Sequence, residues 1–253
     1  MMKVEVYGLT EVGKRRELNE DNFIICGFED GKAHGFCVLA DGMGGHNAGE
    51  VASKIATETI SNELMPCLDK ENGDAVSLDI AEAIDFANSR IYEKSISYSE
   101  QAGMGTTTVV SYVNGRSVII ANIGDSRAYV ASKDEIFKVT VDHSIVEQLI
   151  QSGTITRDEA KVHPDKNIIT RALGTEEYVD ADFYEYEASA GEAILICSDG
   201  LTEMIDEPEI NKIIFEAESA RFAAEKLVEL ANDRGGVDNI TVIIMMFKEE
   251  GNI

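Results

Sequence analysis

Two apolar segments of this chain end in the same dipeptide, and each could hold a carboxylate at a reactive site. The two dipeptides are Asp41-Gly42 and Asp199-Gly200. Short apolar runs of this kind are typical of buried strands. We expect each strand to hold its carboxylate at the rim of the core. The glycine after it should let the backbone turn sharply and bring its carbonyl close to whatever binds there. Asp-Gly is also a common turn dipeptide, so either copy alone is weak support for a site.

Further acidic residues stand at the borders of other strand-like runs. Glu20 and Asp21 precede one run, Asp125 follows another, and Asp238 leads into the last. Carboxylates gathered at strand ends repel one another unless a cation neutralises them. Because no His or Cys has ligand spacing beside them, this all-oxygen set favours Mg²⁺ or Mn²⁺ over zinc or copper.

Hard cations at these positions would supply a definite chemistry. Two ions about 4 Å apart activate a bridging water and neutralise a phosphate under attack. Arg16 lies four residues before Glu20 and could bind phosphate oxygens through its guanidinium group. The sequence has no P-loop ending in Lys-Ser/Thr and suggests no Ser-His-Asp or Cys-His arrangement. The residues therefore indicate a metal site that could act on a phosphate.

Composition narrows the class of partner. The chain has 253 residues, and its 47 acidic residues against 22 Lys and Arg give a formal net charge of −25. This length suits one large domain, which we place over residues 1–253. A surface this negative repels nucleic acid and anionic membranes, so we expect neither as a partner.

Cysteine usage and hydropathy indicate the compartment. The four cysteines form no Cys-x-x-Cys pair, and three of them stand in apolar runs. We interpret them as buried thiols in a reducing environment. No basic-then-apolar signal opens the chain, and no apolar run reaches about 18 residues. We therefore expect a soluble, cytoplasmic protein.

The periodicity of apolar residues predicts an α+β fold. Strands are predicted at residues 4–9, 22–27, 35–40, 106–113, 117–122, 127–131, 135–140, 182–187, 193–197 and 240–247. Helices are predicted at residues 49–65, 79–97, 207–217 and 220–232, with two shorter ones at 145–152 and 156–162. Because strands and helices do not alternate regularly, layered sheets are favoured over a doubly wound parallel sheet. The two short helices belong to a polar segment that is either an insert over the site or ordinary surface.

Eight motifs carry a family resemblance that covers nearly the whole chain. They are RELNEDNF (16–23), ADGMGGHNAGEVAS (40–53), GMGTTT (103–108), ANIGDSRAY (121–129), TVDHSIV (140–146), ITRALG (169–174), LICSDGL (195–201) and DNITV (238–242). In these motifs and their order the chain resembles the metal-dependent type 2C protein serine/threonine phosphatases, in their compact bacterial form. Any one motif is weak, but eight in order are highly specific.

The resemblance implies a four-layer αββα sandwich, with two antiparallel sheets flanked by helix pairs and a small flap at about residues 145–170. It implies that Asp41 bridges two Mn²⁺ or Mg²⁺ ions. Asp199 and Asp238 would complete the first ion, and the Gly42 carbonyl would help to hold the second.

The resemblance also assigns the remaining polar residues. Glu20 and Asp21 would act directly or through water, and Asp125 with Asp199 would hold a third, weaker metal ion. Arg16 matches the phosphate-binding arginine, so Arg16 and Asp41 are the expected catalytic residues. An alternative for Asp125 is a plain turn between two strands, in which its side chain only caps the turn.

One position departs from the eukaryotic pattern of the family. Those enzymes carry a His directly after Asp-Gly, where it is proposed to protonate the leaving group. Met43 stands there in this chain, and we interpret it as a packing residue. His46 lies three residues further on and is interpreted as a structural or surface histidine.

The activity that the resemblance implies is hydrolysis of phosphoserine and phosphothreonine on proteins, without a phosphoenzyme, in opposition to a bacterial Ser/Thr kinase. We expect a monomer. One alternative is a non-catalytic phosphoprotein-binding regulator, which would lack an Asp at 41, 199 or 238, and all three are present. Another is a phosphatase dedicated to one substrate, such as an anti-sigma-factor antagonist. Such members usually diverge near Arg16, which this chain keeps.

Overall fold

The computed structural model describes residues 2–44, 48–69 and 76–249. Its strands are β1 (Met2–Glu11), β2 (Asp21–Gly27), β3 (His34–Met43), β4 (Gly105–Thr106), β5 (Thr108–Asn114), β6 (Ser117–Ile123), β7 (Arg127–Ala131), β8 (Ile136–Lys138), β9 (Asp182–Glu187), β10 (Ala193–Cys197) and β11 (Ile240–Glu249). Its α-helices are α1 (Ala48–Leu64), α2 (Val76–Ser97), α3 (Ile145–Gln151), α4 (Arg157–Lys161), α5 (Asp199–Thr202), α6 (Glu207–Glu216) and α7 (Ala220–Asp233).

The strands pair into two antiparallel sheets. One has five strands in the order β1-β11-β10-β7-β8, and the other has the order β2-β3-β5-β6-β9 with the short β4 beside β3. β5 and β6 form a hairpin, in which Asn114 pairs with Ser117 beside the turn. Between β6 and β7 the chain passes from one sheet to the other, across residues 124–126.

Three apolar cores hold the layers together. The core between the sheets includes Leu39, Val109, Ile196 and Ile243. A second core buries one face of α1 and α2 against the six-stranded sheet. A third buries α5, α6 and α7 against the five-stranded sheet. The layer order is therefore helices, sheet, sheet, helices, which confirms the αββα sandwich.

The position of the central strand β10 explains why all of its residues are apolar. Every residue of this strand is buried. Ile194 and Ile196 face the other sheet, whereas Leu195 faces the helices of the third core. A strand covered on both sides needs apolar residues on both faces. By contrast β9, at a sheet edge, alternates between exposed and half-buried residues.

The predicted elements agree closely with the observed ones. The two short helices of the flap are confirmed as α3 and α4, and a capping box between Thr156 and Glu159 opens α4. The predicted strand at 135–140 is shorter in the structure, because Thr140 leaves the ladder and its Oγ1 accepts the N–H of Ala128 at 3.1 Å. Of the helices described, none combines the length and apolar character needed to cross a membrane.

Candidate active site

Asp41 lies on a strand that continues past it. Because β3 runs on through Gly42 to Met43, the chain makes no sharp turn at Asp41-Gly42, and that part of the sequence-based prediction is wrong. The glycine instead allows a close backbone contact, since a Cβ on Gly42 would lie 2.2 Å from the carbonyl oxygen of Gly49. A glycine is therefore needed where β3 passes the first turn of α1.

The second Asp-Gly pair is built differently. β10 ends at Cys197, and Asp199 is the first residue of α5, so this carboxylate opens a helix instead of ending a strand. A Cβ on Gly200 would lie 2.0 Å from the carbonyl oxygen of Asn239. Here too the glycine serves a close backbone approach and not the expected sharp turn. A helix of only four residues is too short to leave a periodic signal in the sequence.

Asp21 and Asp41 stand directly opposite each other on β2 and β3. Like charges in this position destabilise a sheet. The Oδ2 of Asp21 accepts hydrogen bonds from Ser198 Oγ at 2.8 Å and Thr241 Oγ1 at 2.6 Å, whereas its buried Oδ1 receives none. Burial raises the pKa of Asp21 to about 6, although the two hydroxyls oppose the shift.

The neighbouring carboxylates carry the same electrostatic penalty. Burial raises the pKa of Asp41 well above its ordinary value, and the charges of Asp21 and Asp199 add to the effect. Burial also raises the pKa of Asp199, followed by the charges of Asp125 and Asp238. The structure thus gathers the predicted aspartates at one end of the sandwich, where protons or a cation must relieve their repulsion.

Asp125 lies in the turn that carries the chain between the two sheets. Its neighbour Gly124 has a φ of +103°, and a Cβ there would lie 2.5 Å from Thr107 Cγ2, so only glycine fits this corner. Burial raises the pKa of Asp125 to about 6, with Asp142 adding to the shift and Arg127 opposing it. The turn is therefore a crossing point at the carboxylate cluster and not an ordinary hairpin.

Thr107 links Asp41 to this turn. Its Oγ1 accepts the N–H of Asp41 at 3.0 Å and lies 2.8 Å from Ser126 Oγ. The carbonyl of Asp41 accepts the Thr107 N–H at 2.9 Å and the Thr106 hydroxyl at 2.8 Å. These contacts interrupt the predicted strand 106–113 between β4 and β5. Sequence reasoning gave Thr107 no role, and its only signal was the GMGTTT motif.

Arg16 is held beside the carboxylates by an ion pair. Its Nη2 donates to Asp238 Oδ2 at 2.7 Å, and this hydrogen bond is the main cause that raises the pKa of Arg16. The other oxygen of Asp238, Oδ1, accepts the N–H of Asn239 at 2.8 Å. Because the Arg16 side chain is 49% exposed, a phosphate group in solvent can reach it.

Asn239 fixes the loop that carries Arg16 and Glu20. Its Nδ2 donates to the carbonyls of Val12 and Leu18, both at 2.9 Å. Its Oδ1 accepts the N–H of Glu20 at 2.9 Å. One buried amide thus ties the loop at three points. Sequence reasoning missed this role, because an Asn before a strand is also a common turn residue.

Glu20 lies at the N-terminal end of α1. Burial raises its pKa, whereas the charge of Arg16 and the backbone N–H of Gly49 lower it. The carbonyl of Glu20 accepts the N–H of Gly42 at 3.1 Å. The structure therefore places Glu20 beside Gly42, whose carbonyl the family resemblance assigns to the second metal ion.

The donor atoms at this end of the sandwich fit a hard divalent cation. They are carboxylate and carbonyl oxygens, and the buried Asp21 Oδ1 receives no hydrogen bond. They do not form a finished cage, since no three Asp, Glu, His or Cys side chains in the described ranges converge on one point. Asp238 accepts from Arg16 through Oδ2 and from the Asn239 N–H through Oδ1, so both of its oxygens already have protein partners.

Two residues after the first Asp-Gly pair, Met43 and His46, were given non-catalytic roles in the sequence analysis. Met43 pairs with Gly105, and its methyl group would lie 2.8 Å from a Cβ built on that glycine. This contact agrees with a packing role. His46 lies outside the described residues.

Comparison with known proteins gives consistent matches along the chain. The profile of the protein phosphatase 2C family matches residues 12–232. The serine/threonine phosphatase Stp of Listeria innocua is 36% identical over 236 residues, which cover 93% of each chain. The crystal structure of serine/threonine phosphatase Stp1 from Staphylococcus aureus has a TM-score of 0.87 at 36% identity, with 98% of this chain and 96% of that chain covered.

A further match concerns a structure with bound metal. The catalytic domain of the serine/threonine protein phosphatase PstP, solved in complex with two manganese ions, has a TM-score of 0.85 at 30% identity. The alignment covers 98% of this chain and 100% of that chain.

Proposed function

The chain belongs to the protein phosphatase 2C family and is a protein serine/threonine phosphatase, and we propose that it acts at the carboxylate cluster around Asp41. The observation that carries this assignment is the face-to-face placement of Asp21 and Asp41 with Asp199 beside them. Burying carboxylates together is costly unless a cation compensates. The alternative of a non-catalytic regulator finds no support in the comparisons.

We assign the metal-holding residues as follows. Asp41 would be shared by two ions, Asp199 and Asp238 would complete one of them, and Glu20 with the Gly42 carbonyl would serve the other. When bound, Mn²⁺ or Mg²⁺ supplies an activated water and neutralises charge on the phosphate. In support, all these donors are oxygens, which suit hard cations.

Asp21 and Asp125 would bind waters or ions next to the two proposed metal ions. Two hydroxyls, Ser198 Oγ and Thr241 Oγ1, hold one oxygen of Asp21, which leaves Oδ1 free to accept from a water or an ion. Asp125 would hold a third ion together with Asp199. With so few protein ligands, that ion would bind weakly.

Arg16 would bind and orient the phosphate. Its Nη2 donates to Asp238, and the other N–H groups of the planar guanidinium are available to bind two phosphate oxygens at once. Asn239 keeps the loop of Arg16 in place. In the reaction, water forms a new bond to phosphorus while the bond to the Ser or Thr oxygen breaks, and that oxygen takes up a proton.

The substrates of the enzyme are phosphorylated proteins, and we propose finer features of its setting. A bacterial Ser/Thr kinase would supply the phosphoproteins, and the enzyme would work in the cytoplasm as a monomer without nucleic acid. Residues 1–253 would form one catalytic domain. In support, all four cysteines are free thiols, as a reducing compartment requires.

The direct test is hydrolysis of a phosphothreonine peptide in EDTA and after addition of Mn²⁺ or Mg²⁺. We expect activity to vanish in EDTA and to return with Mn²⁺, less well with Mg²⁺. Mn²⁺ should also raise the melting temperature, since a ligand of the folded state stabilises it by mass action. Full activity of a chelated, metal-free sample would overturn the proposal.

A further inference from the structure

His143 satisfies both backbone polar groups of Gly124, the residue before Asp125. The N–H of Gly124 donates to Nδ1 of the imidazole at 3.1 Å, and the N–H of His143 donates to the Gly124 carbonyl at 2.9 Å. His143 is buried, at 6% exposure, so water does not replace these contacts. Its motif, TVDHSIV, has no other role in the assignment above.

A second layer of charge orients the imidazole. Because Nδ1 accepts a hydrogen bond, the ring proton is on Nε2, which lies 3.2 Å from Asp182 Oδ2 at the start of β9. Arg171 Nη1 in turn donates to Asp182 Oδ1 at 2.8 Å. Burial lowers the pKa of His143, which keeps the ring neutral and its Nδ1 able to accept.

We propose that His143 is a positioning residue for Asp125, because it fixes the Gly124–Asp125 turn and thereby sets how tightly Asp125 can hold a metal ion. Thr107 supports the turn from the side of Asp41, and His143 supports it from the side of the flap. The effect on metal binding rests on the proposed function, because it assumes that Asp125 holds a metal ion. The hydrogen bonds between His143 and Gly124 do not depend on that assumption. Partners of metal ligands commonly alter metal affinity by about 10- to 100-fold.

Two substitutions separate the contacts of the ring. In His143→Asn, the amide Oδ1 occupies the place of Nδ1 and can still accept the N–H of Gly124. In His143→Gln, the longer side chain can still donate to Asp182 but offers no acceptor at that place. His163→Gln is the matched control, because His163 lies in the flap and its Nδ1 accepts the N–H of the nearby Asp165 at 3.2 Å.

The first measurement is amide hydrogen exchange at Gly124 in the metal-free protein. We expect exchange in His143→Gln to be about tenfold faster or more, because the amide loses its acceptor. His143→Asn and His163→Gln should stay near wild type. Equal protection of Gly124 in His143→Gln and wild type overturns the proposal. Melting temperatures of each variant show that it is folded, and His143→Leu, which also offers no acceptor to the Gly124 N–H, replaces His143→Gln if that variant does not fold.

The second measurement is Mn²⁺ binding by equilibrium dialysis, with Asp125→Ala as reference. We expect the weakest Mn²⁺ of the wild type to be absent in Asp125→Ala and weakened by about 10- to 100-fold in His143→Gln. If Asp125→Ala loses an ion but His143→Gln binds like wild type, His143 does not act on the metal and the proposal fails. If Asp125→Ala binds as many ions as wild type, the metal assignment of Asp125 fails. Gly124 exchange alone then decides whether His143 holds the turn.

Discussion

Asp41 and Asp125 belong to one carboxylate cluster, but the chain holds them in place by different means. Asp41 sits on a strand and pairs with β2 on one side. On the other side its carbonyl accepts the Thr107 N–H, and its N–H donates to the Thr107 hydroxyl. Asp125 sits on a turn between the sheets, where two side chains, Ser126 and His143, provide the support. The proposed shared ligand of two ions is thus held by strand pairing together with Thr107, whereas the proposed ligand of a third ion is held by side chains around a turn.

The comparison predicts that Asp41→Asn is the most damaging single change. It removes a charge that two ions share, so we expect turnover to fall by at least about 10³-fold, which corresponds to about 4 kcal/mol. Phosphopeptide hydrolysis at saturating Mn²⁺ measures the loss. The matched control is Asp134→Asn, the same change on an exposed turn, which should be neutral. Near-normal turnover of Asp41→Asn would show that this strand does not carry the shared ligand.

The second largest effect is expected for Arg16, which lies near Asp41 and would bind the phosphate group of the substrate. Arg16→Ala would remove a charge-assisted contact to phosphate of about 2–3 kcal/mol, so we expect kcat/KM to fall by about 30- to 150-fold. Inhibition by inorganic phosphate should weaken in parallel. Arg15→Ala, at an exposed neighbour in the same loop, is the control and should change neither value. Unchanged kcat/KM and phosphate inhibition in Arg16→Ala would remove Arg16 from the site.

Asp125→Ala tests the turn directly. We expect it to lose most turnover, by about tenfold or more, while the stabilisation by Mn²⁺ stays, because the two-ion site remains intact. In this variant the rise in melting temperature with Mn²⁺ should therefore remain, whereas turnover on phosphopeptides should be lost. In Asp41→Asn both should be reduced. Wild-type turnover with an unchanged Mn²⁺ count would make Asp125 a turn residue only.

The stability of the metal-free protein should depend on pH because of the carboxylate cluster. The pKa values of Asp21 and Asp125 are each raised to about 6 from an ordinary 3.8, so the folded chain binds protons more tightly than the unfolded chain. Stability from these groups is therefore lost as the pH rises from about 4 to about 6. In EDTA we expect the melting temperature to be a few degrees higher near pH 5 than near pH 7. Asp125→Asn should flatten this slope, and an equally steep slope would contradict the assignment.

The sequence predicted the elements well because apolar periodicity reports local burial. The runs at 182–187 and 193–197 became β9 and β10 with the same bounds. The carboxylates were also found, since each stands where an apolar run begins or ends. Their identity as a family site came from eight ordered motifs and not from any one residue.

What the sequence did not reveal depends on contacts between distant segments. Asp199 was expected at a strand end but opens a short helix, and the glycines of both Asp-Gly pairs serve backbone crossings instead of turns. Thr107, His143 and Asn239 act through hydrogen bonds to residues far along the chain. Periodicity carries no information about such partners, because they are brought together only by the packing of the two sheets.

The flap begins and ends at nearly the same point. Thr170 donates its N–H to the carbonyl of His143 at 2.7 Å, and Ile145 donates to Ile168 at 3.0 Å. A loop closed at its base adds little to the cost of folding when it grows, about 0.6 kcal/mol for each doubling of length. Natural variation can therefore lengthen, shorten or exchange this segment while the sheets and their carboxylates stay unchanged. Changes in the length or sequence of the flap could therefore alter which substrates bind beside the carboxylates without altering the reaction itself.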